Sequence, residues 1–393
     1  MIRRALAVIG IFAPFLFLAG IYLGGHPQSL PGFLRDPLVA DEQAQVYEEA
    51  SDMIEAEFFR RVDPDALLDT SLGAAVESLK DPFSHYFDPK TYKEFEQATS
   101  GEFEGVGMTV QEHPRGLEIV QVFEGGPAAK ARMKPGDLIT AVNGRQLKGT
   151  PSTAATAKIK GPAGTTVRLT VLSGKKARTL TIERAAVNIP VVDSRMVRED
   201  GRKVAYASLE SFTAGAHGEL GAAIRKLLNR GAQGVVLDLR GNGGGLLQEA
   251  VLVSSIFIPE GTIVTTKGRS QPSRTFEASG ESISGKVPVV VLVDRGSASA
   301  SEIVTGALQD RERATIVGER TFGKGVFQSV IELSNGGALD ITVGEYFTPE
   351  GRNLGQRAGK RGIEPDVKAI DDDDTDKVDE ALEAAIKALG ARA

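Results

Sequence analysis

A hydroxyl-rich turn and a lysine further along the chain have the residue types of a nucleophile and its general base. The turn is the segment Gly-Ser-Ala-Ser-Ala-Ser-Glu at positions 296–302, and Lys324 lies 25 positions after its middle serine, Ser299. Burial lowers the pKa of a lysine, so that its neutral amine can accept a serine proton near neutral pH. We therefore predict a Ser/Lys pair that performs acyl transfer.

The neighbours of Lys324 favour this role over that of a surface charge. Phe322, Val326 and Phe327 flank the lysine and are expected to desolvate its ammonium group. Gln328 follows four positions later and is expected to hold the amine in place.

The serine turn also has structural interpretations. Ser299 and Glu302 have the spacing of a capping box, in which the serine oxygen accepts a backbone N–H and the glutamate reaches back. Ser297 and Ser301 are rival nucleophiles, and turn chemistry alone explains a serine at any of the three positions. A Ser/His/Asp triad would have to use His217, the one histidine within the predicted catalytic domain.

The segment 318–324 has the pattern G-x-x-x-x-G-K, which opens a phosphate-binding loop. The next residue, Gly325, removes the hydroxyl that would bind Mg²⁺, and the residues after it have a strand-like pattern where a helix is required. The sequence therefore argues against a nucleotide site.

A second glycine-rich turn, Gly-Asn-Gly-Gly-Gly-Leu at positions 241–246, follows the apolar run 234–237 and precedes a helical pattern. Bare N–H groups in such a turn can stabilise the oxyanion of an acyl-transfer intermediate, together with the N–H of Ala300. A tight loop that needs positive φ is the structural alternative.

Both turns follow predicted strands of an α/β core. Strand candidates at 204–209, 234–239, 289–293 and 315–317 alternate with helical stretches at 218–229, 247–257 and 302–309. This alternation predicts right-handed βαβ crossovers, and the active sites of open α/β sheets collect at the carboxyl ends of the strands. A hairpin is expected over residues 330–347, around Asn335 and Gly336.

Three segments together resemble the C-terminal processing peptidases, also called tail-specific proteases, a serine peptidase family with a Ser/Lys dyad. They are Asp-Leu-Arg-x-Asn-x-Gly-Gly-Leu at 238–246, the serine turn at 296–302 and Thr-Phe-Gly-Lys-Gly at 321–325. The resemblance implies that Ser299 is the nucleophile, Lys324 the base and Gln328 the residue that orients the lysine. It further implies oxyanion donors at Ala300 and at Gly245, with Gly244 as the alternative, and no metal or organic cofactor.

Residues 101–184 resemble a PDZ domain. The segments 126–131 and 134–144 support this, and the predicted carboxylate-binding loop is Gly105, Val106, Gly107 and Met108. Its N–H groups can bind a terminal carboxylate while an exposed edge strand at 108–111 pairs with an extended peptide. A PDZ fold used only for packing or dimer contacts is the alternative.

The N-terminal part predicts a membrane segment followed by helices. Arg3 and Arg4 precede an uncharged run at 5–25, which indicates a membrane segment with a cytoplasmic N-terminus. An uncleaved signal anchor is favoured because no A-x-A cleavage site ends the run, and a cleaved signal peptide is the alternative. Residues 41–95 have helical spacing. Within them, 79–87 resembles the Asp-Pro-His-Ser-x-Tyr segment of the same peptidases, with Phe83 where these usually have His and with His85 expected to be structural.

Composition excludes several classes. The 393 residues carry a formal net charge of -6 and no basic stripe, which argues against nucleic acid as a partner. Cysteine is absent, so disulfides and thiolate chemistry are excluded, and the four histidines lack metal-ligand spacing.

The sequence thus predicts a multidomain fold. Its parts are a signal anchor at 1–25, a helical region at 26–97, a small barrel-like β domain with helices (the PDZ domain) at 98–186, an α/β peptidase core with βαβ units at 187–370, and an acidic linker with a terminal helix at 371–393.

The predicted function is that of a serine endopeptidase, anchored in the bacterial inner membrane with its catalytic part outside the cytoplasm. It would capture the free C-terminus of an unfolded or flexible protein and cleave near that tail. Gating by the PDZ domain is a further hypothesis, and a non-catalytic scaffold or apolar-ligand-binding protein is the alternative function. A second copy of the chain, paired through the helical region, and an adaptor protein are left open as partners.

Overall fold

The computed structural model describes residues 42–199, 201–355, 361–370 and 379–391. They divide into two compact units between Lys80 and Asp81. The predicted anchor at 1–25 and the acidic run at 371–374 lie outside the described residues. Within the described ranges, no helix has both the length and the apolar character needed to cross a membrane.

Over residues 42–80, the described part of the first unit forms helices α1 (Glu42–Glu57) and α2 (Pro64–Glu77), as the helical spacing predicts. Pro64 occupies the first turn of α2, where its missing N–H costs nothing. The Asp63 carboxylate accepts the N–H of Asp65 at 3.1 Å and so caps the helix.

The second unit opens with β1 (His85–Phe87) and α3 (Pro89–Ser100). The helical pattern predicted over 41–95 is wrong at β1, which pairs antiparallel with residues 338–340. A strand of three residues is too short to show a period in sequence, and its partner lies about 250 positions away, so only tertiary pairing defines it.

A small antiparallel sheet forms where the PDZ domain is predicted. Its strands are β3 (Met108–His113), β4 (Gly116–Val122), β5 (Leu138–Val142), β6 (Arg145–Gln146), β7 (Thr166–Ser173) and β8 (Lys176–Glu183). The order is β3-β4-β5-β7-β8, with β6 on β5, so the predicted edge strand is confirmed. Two helices, α4 (Pro127–Lys130) and α5 (Ser152–Ile159), accompany the sheet around a core that includes Leu117, Ile139 and Leu169.

Both connections of this domain run through one ribbon. Strand β2 (Glu102–Gly105) leads into the domain, β9 (Ala185–Asn188) leads out, and the two pair antiparallel over four residues each.

The α/β core is built on a mixed sheet. Its strands are β10 (Val192–Glu199), β11 (Arg202–Leu209), β12 (Val235–Asp238), β15 (Val289–Val293), β16 (Thr315–Gly318) and β19 (Val367–Lys368), paired in that order. Only the β10–β11 pairing is antiparallel among those described. The helices are α6 (Ala216–Asn229), α7 (Leu247–Ser255), α8 (Ala300–Asp310) and α9 (Glu380–Ala391). The predicted βαβ alternation is confirmed.

Helices cover both faces of this sheet, which explains the continuous apolar strands. Val289 and Val291 of β15 pack on the side of α6, α7 and α8, while Val290 and Leu292 pack against α9. Successive side chains of a strand point to opposite faces, so every position of a doubly covered strand must be apolar.

A second sheet lies beside the core. It contains β13 (Thr262–Gly268), β14 (Arg274–Glu277), β17 (Val326–Glu332) and β18 (Ala338–Phe347), with β1 at one end of β18. The hairpin predicted around Asn335 is confirmed as the β17–β18 pair.

Candidate active site

Ser299 lies at the turn where β15 hands over to α8. Its backbone has φ 55° and ψ −113°, which a non-glycine residue adopts only at a cost of roughly 1–3 kcal/mol. The surrounding structure enforces this conformation, because the Ser299 N–H donates to Oε2 of Glu302 at 3.0 Å. The glutamate half of the predicted capping box is therefore formed, and the Glu302 N–H donates to the backbone oxygen of Ser299 at 2.9 Å.

The two rival serines are buried and have structural partners. Ser297 Oγ donates to the carbonyl oxygen of Leu239 at 2.7 Å, and Ser301 Oγ donates to that of Asn242 at 2.8 Å. Both bonds join the serine turn to the residues that follow β12, at the start of and just before the glycine turn. Of the three serines, Ser299 is the one that lines the adjacent cleft.

The two candidate oxyanion donors of the glycine turn differ in whether their N–H group is already hydrogen-bonded. The N–H of Gly244 donates to Oδ1 of Asn242 at 2.9 Å, so it is already engaged. Within the described residues, the N–H groups of Gly245 and Ala300 have no acceptor, and both residues line the cleft beside Ser299. The geometry therefore favours Gly245 over Gly244.

Gly244 has a different requirement, which is close approach. A Cβ at this position would lie 2.8 Å from the Ser299 Cβ and 3.1 Å from the Ala300 nitrogen. Since a Cβ atom does not approach other heavy atoms this closely, a side chain at position 244 would displace the nucleophile turn.

Lys324 lies in the loop before β17, in the same cleft as Ser299. Its Nζ is 4.9 Å from the centre of the Phe83 ring, a cation–π distance. Desolvation lowers the pKa of Lys324, while the negative charges of Asp340, Asp81 and Glu302 oppose that shift. The general-base prediction needs a lysine pKa displaced in this direction.

One predicted neighbour of Lys324 is wrong. Phe322 is 46% exposed, because its side chain points to solvent from a loop whose alternate residues are buried. Phe83, distant in sequence, packs against the ammonium instead.

Gln328 lines the cleft from β17, but its amide nitrogen donates to Thr342 Oγ1 at 3.0 Å. These residues are register partners on β17 and β18. Within the described residues, no hydrogen bond joins Gln328 to Lys324 or Lys324 to Ser299, so the orienting role of Gln328 stays a prediction.

Glu302 connects the two halves of the site. Its carboxylate is fully buried and accepts four hydrogen bonds from protein donors, namely the N–H groups of Ser299, Gly323 and Lys324 and the hydroxyl of Thr321, at 2.6–3.0 Å. Desolvation raises the pKa of Glu302, and these hydrogen bonds counteract the rise. The nucleophile turn and the base loop thus share one acceptor.

Tyr346 and Asn353 also hold the base loop, and sequence analysis assigned neither a role. The buried Tyr346 hydroxyl donates to the backbone oxygen of Lys324. Burial and the charge of Glu302 raise the pKa of Tyr346, so it remains a donor. Asn353 Nδ2 donates to the carbonyl oxygen of Gly325 at 2.9 Å and to that of Tyr346 at 3.0 Å. The segment Thr-Pro-Glu-Gly-Arg-Asn-Leu at 348–354 resembles a segment of the C-terminal processing peptidases, and this resemblance is the sequence signal that could have indicated Asn353.

The cleft that holds Ser299 and Lys324 has a volume of about 310 Å³. Much of its remaining lining is apolar and comes from Phe95, Leu246, Leu247, Ile303, Phe327 and Val330. A larger surface cavity of about 690 Å³ contains none of the predicted site residues. The small cleft is therefore the candidate active site.

The alternative catalytic residues lack the required contacts. His217 Nδ1 lies 2.8 Å from Oε2 of Glu249, which also accepts the His217 N–H, so the histidine belongs to the start of α6. The G-x-x-x-x-G-K segment leads into strand β17, not a helix. In the part of the chain that the structure describes, no group of three or more metal-binding side chains is present.

The predicted carboxylate loop has its carbonyl groups turned inward. The Val106 oxygen accepts the N–H of Ala128 at 2.7 Å, and the Gly107 oxygen accepts that of Phe123 at 3.0 Å. Because a trans peptide directs its N–H opposite to its C=O, the N–H groups of Gly107 and Met108 face away from these partners.

Comparison with known proteins adds independent findings. The model of peptidase family S41 matches residues 203–369, and that of the PDZ domain matches residues 104–183. The carboxyl-terminal-processing protease of Synechocystis sp. is 38% identical over 302 residues, covering 76% of this chain and 70% of that protein. The carboxy-terminal processing protease CtpA of Bacillus subtilis is 35% identical over 331 residues, covering 84% and 69%.

A solved structure, the photosystem II D1 C-terminal processing protease, is 29% identical and covers 89% of this chain and 98% of its own, with a TM-score of 0.49. The two sequence relatives are matched over more than two thirds of their own length. This chain therefore belongs to the carboxyl-terminal processing proteases, the serine peptidases of family S41 that carry a PDZ domain.

Proposed function

We propose that this serine peptidase cleaves polypeptides within the Ser299/Lys324 cleft through an acyl-enzyme. The observation that carries the proposal is the shared lining of one cleft by Ser299, Lys324 and the unengaged N–H groups of Gly245 and Ala300. Nucleophile, base and oxyanion donors are the parts that acyl transfer needs. A non-catalytic scaffold would have no use for this set, so that alternative is not favoured.

In the proposed mechanism, neutral Lys324 accepts the proton of Ser299 Oγ while Oγ attacks the substrate carbonyl carbon. The oxyanion binds the N–H groups of Gly245 and Ala300, and Lys324 then returns the proton to the leaving amine as the C–N bond breaks. In the second half of the reaction, Lys324 accepts a proton from water while the water oxygen attacks the ester carbonyl carbon. Lys324 then returns the proton to Ser299 Oγ as the ester bond breaks. No metal or organic cofactor is required.

Both residues of the dyad are testable by pH dependence. With an unfolded protein as substrate, kcat/KM should rise with pH along a limb whose apparent pKa lies below the ordinary lysine value of about 10.4. Ser299→Ala and Lys324→Ala should each lower kcat/KM by at least about 10³-fold.

Ser297→Ala and Ser301→Ala serve as controls, because their hydroxyls hold the two turns together. They should lower stability yet still form an acyl-enzyme at Ser299, detectable by acid quench and mass spectrometry. Acylation of Ser297 or Ser301 in the wild-type enzyme would contradict the assignment.

Glu302→Gln should lower kcat by roughly 10²-fold with little change in KM, the size of loss that a misplacement of about 1 Å causes. In the wild type, the Glu302 carboxylate accepts the N–H groups of Ser299 and Lys324, whereas the amide of the variant would direct an NH₂ group toward backbone donors. Glu249→Gln is the matched control, since Glu249 is a buried carboxylate that accepts N–H groups at α6. It should lose stability and keep kcat; equal kcat losses in the two variants would refute a specific role for Glu302.

We further propose that the PDZ domain captures the free C-terminus of the substrate at Gly105, Val106, Gly107 and Met108. Support comes from the outward direction of the Gly107 and Met108 N–H groups and from the open edge of β3. We extend this proposal to gating, in which capture of the tail by the PDZ domain raises the activity of the Ser299/Lys324 dyad.

Amidating the C-terminus of the substrate should therefore raise KM about tenfold, the loss of one charge-assisted anchor. If capture gates the enzyme, kcat at a distant internal bond should fall as well. Acetylating the substrate N-terminus controls for loss of a terminal charge. Identical kinetics for the free and amidated tails would sink the capture proposal.

We also propose that residues 1–25 anchor the enzyme in the bacterial inner membrane, with the catalytic part on the extracytoplasmic side. The support is sequence alone, namely Arg3 and Arg4 before an uncharged run. The full chain should remain in the membrane fraction after alkaline extraction, and a fragment that begins at Pro27 should not. Recovery of the full chain in the cytosolic fraction would argue against an anchor.

A further inference from the structure

Asp340 is a half-buried carboxylate in the catalytic cleft that the mechanism above does not use. It lies on β18, opposite His85 of β1 on one side and Val330 of β17 on the other. It lines the cleft together with Ser299 and Lys324. Within the described residues, no hydrogen-bond donor reaches its carboxylate, and the charged groups that act on it are Lys324 and His85.

Three carboxylates act on the Lys324 ammonium, and two of them are committed elsewhere. Asp81, in the turn before β1, accepts the hydroxyl of Ser84 at 2.6 Å and the N–H of Phe83 at 3.3 Å. Glu302 of α8 accepts four donors. Asp340 is the remaining one, and its charge is the largest of the three influences on the pKa of Lys324.

Other groups set the surroundings of this pair. The Phe83 ring lies under the ammonium, and the buried Tyr346 hydroxyl is engaged with the Lys324 backbone. His85 faces Asp340 across the β1–β18 pairing and adds positive charge when it is protonated. Desolvation raises the pKa of Asp340, while the charges of Lys324 and His85 counteract the rise.

We propose that Asp340 is a positioning residue for the general base, and that its carboxylate holds the protonated Lys324 ammonium in the cleft during acyl transfer. This rests on the proposed role of Lys324. As the Ser299 Oγ–C bond forms, the hydroxyl proton moves to Nζ, which becomes positively charged. As the C–N bond breaks, that proton moves to the leaving nitrogen. Asp340 stays ionised throughout and stabilises the charge that Lys324 carries between the two transfers.

The same carboxylate has a second, opposite effect on the free enzyme. A negative charge beside an ammonium raises the lysine pKa, so Asp340 reduces the fraction of neutral base at a given pH. Removing the charge must therefore do two things. It makes neutral Lys324 available at lower pH, and it weakens the ammonium needed in the transition state.

Asp340→Asn tests both effects through the pH dependence of kcat/KM for an unfolded protein substrate. The rising limb should move to lower pH by about one unit, and the plateau at high pH should fall about tenfold. Asp340→Glu should restore most of the limb position. A side chain that only packs in the cleft would lower the plateau without moving the limb.

Asp193→Asn is the matched control, because it removes an exposed carboxylate of β10 outside the cleft. It changes the net charge equally and should leave limb and plateau as in the wild type. Circular dichroism and the melting temperature establish that each variant is folded.

Two results would overturn the proposal. One is an Asp340→Asn variant in which the rising limb of kcat/KM stays at the wild-type pH, while Lys324→Ala is inactive. Lys324 would then remain the general base, and Asp340 would not position it. The other is a fixed limb with altered discrimination between substrates that carry Lys or Leu near the cut, which would make Asp340 a substrate-binding residue. Activity retained in Lys324→Ala would instead refute the proposed mechanism itself.

Discussion

The site depends on one buried carboxylate. Glu302 has no solvent contact, and its Oε2 accepts the N–H groups of Ser299 in the nucleophile turn and of Lys324 in the base loop, which lie 25 positions apart in sequence. A buried charge is tolerated only when hydrogen bonds replace the lost water, and here four protein donors do so. The same hydrogen bonds that stabilise the Glu302 carboxylate fix the positions of the backbone groups that donate them. The same bond to the Ser299 N–H helps maintain the unfavourable φ of the nucleophile.

A second set of contacts fixes the oxyanion side. Asn242 is buried, its amide donates to the Leu209 oxygen at 2.7 Å, and its side-chain oxygen engages the Gly244 N–H. Its backbone oxygen accepts Ser301 Oγ. Nucleophile turn and glycine turn are thereby joined at the carboxyl ends of neighbouring parallel strands, β12 and β15. The backbone of the glycine turn is thereby fixed, and within the described residues the N–H of Gly245 has no acceptor.

Electrostatics at Lys324 are a balance between two opposing effects. Burial disfavours the ammonium and prepares a base, whereas three carboxylates favour the ammonium and prepare the acid that must protonate the leaving amine. Desolvation is the larger of the two in the resting structure, which keeps the pKa below its usual value. A general base that must also return its proton uses both effects, since burial favours the neutral amine that accepts the proton and the carboxylates favour the ammonium that donates it.

Much of this protein was determined by local sequence. The apolar runs of β12 and β15, the glycine turns after them and the helical spacing that follows predicted the βαβ core, because a doubly covered parallel strand must be apolar throughout. Residue chemistry and motif resemblance likewise indicated Ser299, Lys324 and Ala300. Gly245 and Gly244 could not be distinguished, because the engagement of an N–H depends on a side chain folded against it.

Tertiary structure alone decided the surroundings of the dyad. Phe83 and Asp81 reach Lys324 from a segment more than two hundred residues earlier in the chain, and Asp340 reaches it from the neighbouring strand β18. Phe322, its near neighbour in sequence, points to solvent instead. Strand β1 exists only because β18 provides its partner. Sequence specifies which side chains are able to donate, accept or desolvate, but a pKa or an oxyanion donor depends on distances between residues that the chain does not place side by side.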